Sequence, residues 1–384
     1  MRVLHLWDNY APGLFDRSFE ICQQEGLETR LACMNFIARG SSVPPHVDLV
    51  RLLPREDGAS GIIQRAARKL RFIADRRAFR RMVRRLLAQF QPDVVHVHYG
   101  TTLDALGENL PSDSRFVLSF YGFDISQGIG IPAIRSAYQR AFRRQPLVHV
   151  LCDEARGRAL SLGAEPSRIV DANLPLPVDR YPNIGIGSEG PFRWLIPARF
   201  VEKKGHAVAL RAFRMHLVHH PDDRLTCWGY GDPAWLETLV DQLGLNTSVD
   251  VVHNGSEGEF HAAYARRLEE HDAVLAPSIK SSRGDDEGGP ALTVVLAQAA
   301  GKPVIVSDFP GHERSVTDRV EGLVVKQGDV DALAAAMAEL RSDRGFAAEM
   351  GQSGRSRARR DFNEGAYREA LLGWYRELAG SPDS

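Results

Sequence analysis

The chain has 384 residues, of which 43% are hydrophobic and 25% are charged, and its formal net charge is −1. This composition is typical of a globular protein and excludes collagen-like, disordered and disulfide-scaffold classes. The length predicts two domains, and the nearly balanced charge argues against a nucleic-acid partner.

Cysteine spacing and hydropathy indicate the compartment. The cysteines, Cys22, Cys33, Cys152 and Cys227, show no CxxC spacing, which favours buried thiols in a reducing environment. Residues 1–10 lack the apolar run of a signal peptide, and no window approaches about 18 uncharged apolar residues. We therefore expect a cytoplasmic protein.

Short β-branched runs alternate with longer amphipathic stretches along the whole chain. This alternation predicts βαβ crossovers and, at this length, two parallel sheets that are buried on both faces. The predicted strands are Val3–Trp7, Arg30–Met34, Asp93–His98, Phe116–Phe120, Leu147–Leu151, Arg193–Pro197, Leu225–Trp228, Val249–Val252, Ala273–Ala276 and Val304–Val306.

A segment rich in glycine and proline, PNIGIGSEGP at 182–191, predicts a linker. The predicted domains are residues 1–185 and 190–363. A final helix within 364–384 has an apolar face, and we expect it to pack back onto the first domain. The residues of that face are Tyr367, Leu371 and Trp374.

The sharpest chemical signal in the second half is EGGPALTVVLAQAAGKPV. Gly288 and Gly289 lack Cβ atoms, so the backbone can approach a ligand closely. Pro290 suits the first turn of a helix, and the helix that follows, Ala291–Ala300, is apolar on nearly every face. Its N-terminus predicts an anion site, which at the carboxyl edge of a parallel sheet is usually taken by a nucleotide phosphate.

Two cations follow the first strand of the predicted second domain. Arg199 and Lys204 lie in ARFVEKKG, shortly after the run Arg193–Pro197. Basic side chains at this position can neutralise the charge that develops on a departing diphosphate.

Together these motifs resemble the retaining glycosyltransferases of family 4, which have the GT-B fold. ARFVEKKG resembles the family's GRLxxxKG signature, and EGGPALTVVLAQAAGKPV resembles its EGGxPxxxxEAxAxGxPV signature. The segments WGYGD, HNG, APS, SDFPGHE and EGLVVKQGD follow the family's order. The resemblance covers essentially the whole chain and implies an α/β fold of two Rossmann-like domains that face each other across a cleft.

The resemblance also implies a donor site. Arg199 and Lys204 would hold the donor diphosphate, and Glu287 would contact the donor sugar. His253 and Asn254 would lie near the nucleobase. The rest of the implied set comprises a glycine in the loop after the first strand and the residues at the helix N-terminus: Gly13, Gly288, Gly289, Pro290 and Ala291.

On the acceptor side, SFYGFDIS at 119–126 resembles the family's HGxD segment, with Tyr121 in the place of histidine. A tyrosine hydroxyl can bond to a sugar, but it cannot take up a proton near neutral pH as histidine can. By the resemblance, Asp124 would lie near the hydroxyls of the acceptor or donor. It would complete the catalytic set with Arg199, Lys204 and Glu287. Packing at the strand end and a helix cap are the alternative roles for Tyr121 and Asp124.

One departure from the family concerns the ribose. The family usually has a second glutamate in the helix, and alignment on AQAAGKPV puts Leu296 at that position. A buried leucine cannot accept a hydrogen bond from a hydroxyl. Either another group recognises the ribose, or donor binding is weak or unusual, or the chain is a non-catalytic member.

Residues 65–85 are strongly basic, with ten Lys or Arg against one acid, Asp75. A basic amphipathic helix favours contact with an anionic membrane surface, and a solvated face is the alternative. The apolar stripe at helical spacing is Leu70, Ile73, Phe79, Met82 and Val83.

Two histidines raise the question of a metal. His96 and His98 share one strand face, but no third ligand at ligand spacing accompanies them. Asp285 and Asp286 do not form the Asp-x-Asp signature of the other glycosyltransferase fold. We therefore expect neither a metal nor another cofactor.

The sequence thus predicts a retaining hexosyltransferase. It would move a sugar from a UDP- or GDP-sugar to a glycan or lipid-linked acceptor, in cell-surface polysaccharide biosynthesis at the inner face of the membrane. Two alternatives remain. One is a non-catalytic scaffold that binds sugar nucleotides, and the other is a GT-B-fold epimerase or hydrolase that needs no separate acceptor.

Overall fold

The computed structural model describes residues 1–10, 17–37, 46–53, 62–109, 115–187, 189–254, 260–286 and 289–380. The described residues group into two units. Unit 1 lies within Met1–Leu151, Ala155–Leu174 and Tyr367–Ser384, and unit 2 lies within Cys152–Glu154 and Pro175–Ala366. The predicted boundary at residue 185 therefore falls inside unit 2.

Unit 1 is built on a parallel sheet. Its strands are β1 (Arg2–Tyr10), β2 (Glu28–Ile37), β3 (Val47–Leu53), β4 (Val94–His98), β5 (Phe116–Ser119), β6 (Leu147–Val150) and β7 (Ile169–Asp171). They lie in the order β3-β2-β1-β4-β5-β6-β7, and every neighbouring pair is parallel. All side chains of β4 are buried, as expected for a strand that is covered on both faces.

The helices that alternate with these strands are α1 (Arg17–Gln24), α2 (Ile62–Phe90), α3 (Thr101–Leu106), α4 (Pro132–Phe142) and α5 (Asp153–Ser161). The strand order reverses between β1 and β4, because β2 and β3 lie on one side of β1 and the later strands lie on the other. In such sheets, ligands bind beyond the carboxyl ends of the strands at this reversal.

Unit 2 repeats the plan. Its strands are β8 (Arg193–Pro197), β9 (Arg224–Gly229), β10 (Val249–His253), β11 (Ala273–Ala276), β12 (Val304–Ser307) and β13 (Leu323–Val325). They are parallel, in the order β10-β9-β8-β11-β12-β13, so the reversal lies between β8 and β11. Its helices are α6 (His206–His216), α7 (Ala234–Gln242), α8 (Phe260–Glu270), α9 (Leu292–Ala299), α10 (Val330–Ser342) and α11 (Arg344–Asp361).

The predicted fold class, α/β with two parallel Rossmann-like sheets, is confirmed. Each of the predicted strands overlaps an observed one. The prediction missed β3, β7 and β13. Two of these, β7 and β13, have only three residues each, which is too short for a periodic pattern, and all three lie at sheet edges.

The last helix, α12 (Glu364–Ala379), belongs with unit 1. Its apolar face is buried in the core that β1, α1 and β2 also build. The buried residues on that face are Tyr367, Leu371, Trp374, Tyr375 and Leu378.

Helix α2 contains the predicted basic segment 65–85. In the part whose side chains are described, Phe79, Val83 and Leu86 are buried, at the spacing of one helical face. Phe72 and Ile73 are 49% and 40% exposed, so Ile73 does not belong to the packed stripe. None of the described helices is both long enough and apolar enough to cross a membrane.

Candidate functional site

The described residues of the predicted donor site lie at the carboxyl edge of the unit 2 sheet. Arg199 and Lys204 follow β8, and His253 ends β10, directly before Asn254. Arg199 is exposed, and within the described ranges it has no ion pair and no side-chain hydrogen bond, whereas Lys204 is partly exposed. Because it is exposed, the Arg199 guanidinium is available to an anionic ligand. Gly13 lies outside the described residues.

Helix α9 begins at the same edge, because it follows β11 in the crossover to β12. Gly289, Pro290 and Ala291 lead into it, while Glu287 and Gly288 lie outside the described residues. Among the described residues, no side chain caps the helix at Ala291. The first N–H groups of a helix have no partner within the helix, so this end carries a partial positive charge.

Two glycines allow the loops at this edge to pack closely. Gly205 has a φ of +69°, and a Cβ there would lie 1.8 Å from the carbonyl oxygen of Pro277. Gly311 has a φ of +98°, and its Cβ would lie 2.3 Å from the backbone of Gly289. A side chain at either position would force apart the turns that lead to Lys204 and to α9.

Aromatic side chains border the end of β10. The ring of His253 meets the buried ring of Phe200 edge-on, with 6.5 Å between centroids. The carbonyl of Phe200 accepts a hydrogen bond from Nε1 of Trp235, and its N–H donates to the carbonyl of Tyr230. Tyr230 and Trp235 are 45% and 37% exposed. This edge therefore presents aromatic surface beside His253, which the resemblance puts near the nucleobase.

Leu296 lies on α9 and is only 1% exposed. It belongs to a core cluster that also contains Trp228 and Tyr264. The side chain at this position is thus held in the core of unit 2 and offers no hydrogen-bond acceptor.

Lys203 is a residue that sequence reasoning missed. It is 7% exposed, and its Nζ lies 3.1 Å from Oδ2 of Asp285. The sequence favoured its neighbour Lys204, because nothing in the letters KK distinguishes an inward from an outward lysine. The distinction arises from the single 3-10 turn Glu202–Lys204, which directs the two side chains differently.

On unit 1, Asp124 is fully buried, and its carboxylate joins two turns. Oδ2 accepts a hydrogen bond of 2.8 Å from the N–H of Gly100, and Oδ1 accepts from the N–H groups of Tyr121 and Gly122. Burial raises the pKa of Asp124 to about 6, although these hydrogen bonds act to lower it. The carboxylate thus holds the turns after β4 and β5 together, and its predicted contact with a sugar hydroxyl stays a prediction.

The hydroxyl of Tyr121 also points into the protein. It lies 2.7 Å from Nδ1 of His98, and Tyr121 is 7% exposed. Nε2 of His98 lies 2.9 Å from Nδ1 of His5, whose Nε2 is buried without a partner in the described part of the chain. In this conformation Tyr121 is a core residue, so the acceptor contact proposed for it stays a prediction.

His5 supplies the third imidazole that the sequence analysis did not find, because β1 and β4 pair in a register that puts His5 opposite His96. One nitrogen from each of His5, His96 and His98 lies within 4.8 Å of the others. The ring planes are nearly parallel, at 13° for His5 and His98 and 22° for His96 and His98. The planes of His5 and His96 are tilted by 31°. Nε2 of His98 lies within hydrogen-bond distance of Nδ1 of His5, so the rings form part of a hydrogen-bonded network, and the expectation that the chain holds no metal stays a prediction.

A second chain of hydrogen bonds crosses the sheet. His96 lies 2.6 Å from the hydroxyl of Tyr375 through Nδ1 and 2.8 Å from Oγ of Ser119 through Nε2. Ser119 Oγ lies 3.0 Å from Nδ1 of His149, whose Nε2 lies 2.8 Å from the carbonyl oxygen of Ala172. Burial, and then the neighbouring histidines, lower the pKa of His96 well below its ordinary value.

The carbonyl oxygen of Ala172 fixes the position of each proton in this series of hydrogen bonds. A carbonyl only accepts, so a neutral His149 donates from Nε2 and accepts at Nδ1 from the hydroxyl of Ser119. That hydroxyl must then accept from Nε2–H of His96. It follows that Nδ1 of His96 accepts from Tyr375, and the hydrogen bonds run in one direction, from Tyr375 on α12 to Ala172, directly after β7.

Two family models match the chain in succession. The "Glycosyl transferase 4-like domain" model matches residues 20–170, and the "Glycosyl transferases group 1" model matches residues 184–357. WcaL of Salmonella typhimurium, a glycosyltransferase assigned to colanic acid biosynthesis, is 30% identical over 290 residues, which is 73% of this chain and 70% of the relative. This chain belongs to the GT-B glycosyltransferases.

A second relative is also a glycosyltransferase, and a solved structure supports the fold. The amylovoran biosynthesis glycosyltransferase AmsK of Erwinia amylovora is 28% identical over 287 residues, covering 73% of this chain and 69% of the relative. A crystal structure of HepE from Anabaena in complex with UDP-glucose is similar with a TM-score of 0.67 and 13% identity, covering 99% of each chain. At that identity the structural likeness supports the fold alone.

Proposed function

We propose that the chain transfers a hexose-type sugar from a UDP- or GDP-sugar to a glycan or lipid-linked acceptor. One observation carries the proposal: Arg199, Lys204 and the uncapped N-terminus of α9 lie at the same carboxyl edge of the unit 2 sheet. Positive groups in that arrangement suit a diphosphate, and they stabilise it most as it departs with its full charge. HepE, which shares the fold, is a protein crystallised with UDP-glucose.

The proposed reaction retains the anomeric configuration and uses no metal. Support for retention is the resemblance of ARFVEKKG and EGGPALTVVLAQAAGKPV to the signatures of the retaining family. The acceptor would attack from the face that the diphosphate leaves, within one donor–acceptor complex. We nominate no covalent nucleophile. Arg199, Lys204 and the α9 amides supply the positive charge that a metal ion supplies in other transferases.

The proposed pathway is the biosynthesis of a cell-surface polysaccharide. Its support is the similarity to WcaL and AmsK, whose names assign them to colanic acid and amylovoran. The proposed lipid-linked acceptor would bring the chain to the inner face of the membrane.

Helix α2 supplies the proposed membrane contact. Phe72 and Ile73 are exposed, and Arg77, Arg81 and Arg84 are exposed on the turns that follow. Exposed apolar side chains beside a row of cations suit an interface with anionic lipid. The contact would bring unit 1 to the surface where a lipid-linked acceptor lies.

Vesicle flotation tests this contact. The full chain should float with vesicles that contain phosphatidylglycerol and remain unbound with phosphatidylcholine alone. Arg81→Glu with Arg84→Glu should abolish flotation, and the charge-matched control Arg211→Glu with Arg214→Glu on α6 should keep it. Equal flotation of the two variants would contradict the contact.

The function itself is tested in two steps. A thermal-shift screen with UDP, GDP, UDP-glucose and GDP-mannose should give a rise in melting temperature with one nucleotide class. Turnover of the matching sugar nucleotide is then followed with and without a lipid-linked glycan extract. Transfer that needs the extract supports the proposal. Binding without turnover favours the scaffold, and turnover without the extract favours an epimerase or hydrolase.

A further inference from the structure

The turn after β5, residues 122–131, exposes apolar side chains and buries its charge. Phe123 and Ile131 are 43% and 45% exposed, and the first two residues of α4, directly after Ile131, are exposed as well. Asp124, the one charged residue of the turn, is fully buried. A turn that faces water usually has the opposite arrangement, so this turn is built to face an apolar or amphipathic partner.

Hydrogen bonds fix the backbone that carries the exposed side chains. The carbonyl of Phe123 accepts a bond of 2.7 Å from the N–H of Gly128, whose own carbonyl accepts from the N–H of Ile131 at 3.0 Å. A Cβ on Gly128 would lie 3.7 Å from the ring of Phe123, so that ring packs over the glycine. The hydroxyl of Tyr138 donates to the carbonyl of Asp124 at 2.7 Å. The apolar surface is therefore held in place by the turn itself.

The charge that follows the turn is entirely basic. Residues 125–152 contain no aspartate or glutamate and four arginines: Arg135, Arg140, Arg143 and Arg144. Arg135 is exposed one helical turn after Ile131, and its Nε donates to the carbonyl of Ile129 at 3.0 Å. Arg143 is exposed about two turns further on, at the end of α4. Cations beside apolar side chains, with no acid among them, complement an anionic surface.

The turn lies beside the layer of helices to which α2 belongs. Arg76 on α2 pairs with Asp104 on α3, with 2.9 Å between Nη2 and Oδ1. Gly100, directly before α3, lies so close to Tyr138 on α4 that a Cβ on the glycine would be 2.3 Å from the tyrosine hydroxyl. Helices α2, α3 and α4 are thus neighbours in that order. The exposed apolar pair of α2 and that of the turn flank this layer.

We propose that residues 122–131 and the start of α4 form a second membrane contact, in which Phe123 and Ile131 enter the headgroup region of an anionic bilayer. The inference rests on the proposed function and extends its membrane contact beyond α2. The two apolar side chains leave water, and the arginine beside them pairs with lipid phosphates. The Asp124 carboxylate does not oppose this contact, because it is buried and bonded to backbone N–H groups.

Partition of the full chain onto phosphatidylglycerol vesicles tests the contact. Phe123→Ser with Ile131→Ser should weaken partition about tenfold, because two apolar side chains no longer leave water. The matched control is Met215→Ser with Val218→Ser on α6, which replaces another exposed apolar pair and should leave partition unchanged. Both variants should keep the melting temperature of the wild type. Equal partition of the two folded variants would overturn the proposal.

A fluorescent label on the turn gives a second measurement that does not depend on the double variant. The four native cysteines are buried, so a thiol-reactive dye labels a new exposed cysteine selectively. The emission of a polarity-sensitive dye on Ile131→Cys should shift to shorter wavelength on phosphatidylglycerol vesicles. The same dye on Val218→Cys should show no shift. An unchanged emission at position 131 in vesicle-bound protein would contradict insertion of the turn.

The other occupant for this surface is the lipid of the acceptor itself. A double serine variant that partitions like the wild type, but transfers sugar poorly to a lipid-linked glycan extract, would assign the turn to the acceptor and refute the bilayer contact. A wild type that binds neither UDP nor GDP would refute the donor function, and the partition experiment would still decide on the turn. A wild type that does not bind the vesicles would refute both membrane contacts and leave the donor site to its own test.

Discussion

The hydroxyl of Tyr375 donates a hydrogen bond of 2.6 Å to Nδ1 of His96, and this pair joins the last helix of the chain to a central strand of unit 1. Both residues are fully buried. The pair is the first step of a series of hydrogen bonds that continues through Ser119 and His149 to the carbonyl of Ala172. Because that carbonyl can only accept, it fixes the direction of every hydrogen bond in the series. The docking of α12 on unit 1 therefore depends on a hydroxyl at position 375.

Replacement of Tyr375 by phenylalanine should destabilise unit 1. The substitution leaves Nδ1 of His96 as a buried acceptor without a donor, which costs about 1–3 kcal/mol of the free energy of unfolding. Urea denaturation measures it. Tyr230→Phe, which removes an exposed hydroxyl, is the matched control and should change the free energy by less than about 0.5 kcal/mol. A Tyr375→Phe variant as stable as the control would show that the bond contributes nothing.

Stability should fall as the pH drops below about 6.5, the ordinary pKa of histidine. Burial lowers the pKa of His5 to about 3 and those of His96 and His98 well below 6.5. Below pH 6.5 the unfolded chain takes up protons that the folded chain excludes, so the free energy of unfolding decreases. Between pH 7.5 and 5.5 each such histidine should cost on the order of 1 kcal/mol. Urea unfolding at the two pH values tests this, and equal stability would contradict it.

Asp124 opposes this trend. Burial raises its pKa from 3.8 to about 6, so the folded chain binds a proton between these values that the unfolded chain releases. Its contribution to stability therefore grows as the pH falls through 6, and it is lost as the pH rises. One such carboxyl offsets about 1 kcal/mol at pH 5.5, which is less than the loss from three histidines. Asp124→Asn should make the decrease between pH 7.5 and 5.5 steeper, and a shallower decrease would refute this assignment.

Leu296→Glu should not restore a ribose contact. The position lies in the core of unit 2, where an unpaired carboxylate is strongly disfavoured. We expect loss of cooperative unfolding or of soluble expression. Leu296→Ala should cost about 2–5 kcal/mol through the cavity, whereas Leu296→Met should cost less than about 1.5 kcal/mol. A stable Leu296→Glu variant with tighter nucleotide binding would mean that the side chain reaches the ligand.

Gly205→Ala should disturb the donor-binding edge of unit 2 more than its unfavourable backbone conformation alone would. The new Cβ would lie 1.8 Å from the carbonyl oxygen of Pro277, so the turn that carries Lys204 must shift. Gly244→Ala is the matched control, since Gly244 has a φ of +67° and nothing within 4 Å of its Cβ. The control should lose about 1 kcal/mol of stability from the left-handed conformation and keep nucleotide binding. Equal effects of the two substitutions on nucleotide binding would rule out the close contact as the cause.

Much of the fold could be predicted from sequence because buried parallel strands leave long apolar runs. The runs at Val3–Trp7 and Arg193–Pro197 are such signals, and strands beside them follow from the alternation with helices. The three-residue strands Ile169–Asp171 and Leu323–Val325 could not be found, because they exist only through pairing with a neighbouring strand.

The sequence could predict which residues lie at the carboxyl edge of the sheet, because chain order determines that. It could not predict the direction in which their side chains point. Arg199 and Lys204 follow a strand, so the carboxyl edge was implied. Whether Lys203 or Lys204 faces inward depends on one turn of 3-10 helix. The buried contacts of Asp124 depend on the folded turns around it, and the third imidazole, His5, depends on strand register.

We propose that Arg199 and Lys204 hold the diphosphate of a nucleotide donor on unit 2. Titration calorimetry of the purified chain with UDP and with GDP measures this contact. We predict that one of them binds, that Arg199→Ala with Lys204→Ala weakens it about a hundredfold or more, and that Arg193→Ala, at the opposite end of the same strand, leaves it unchanged. Binding that survives the double substitution would mean that the diphosphate binds elsewhere and that these two side chains do not hold it.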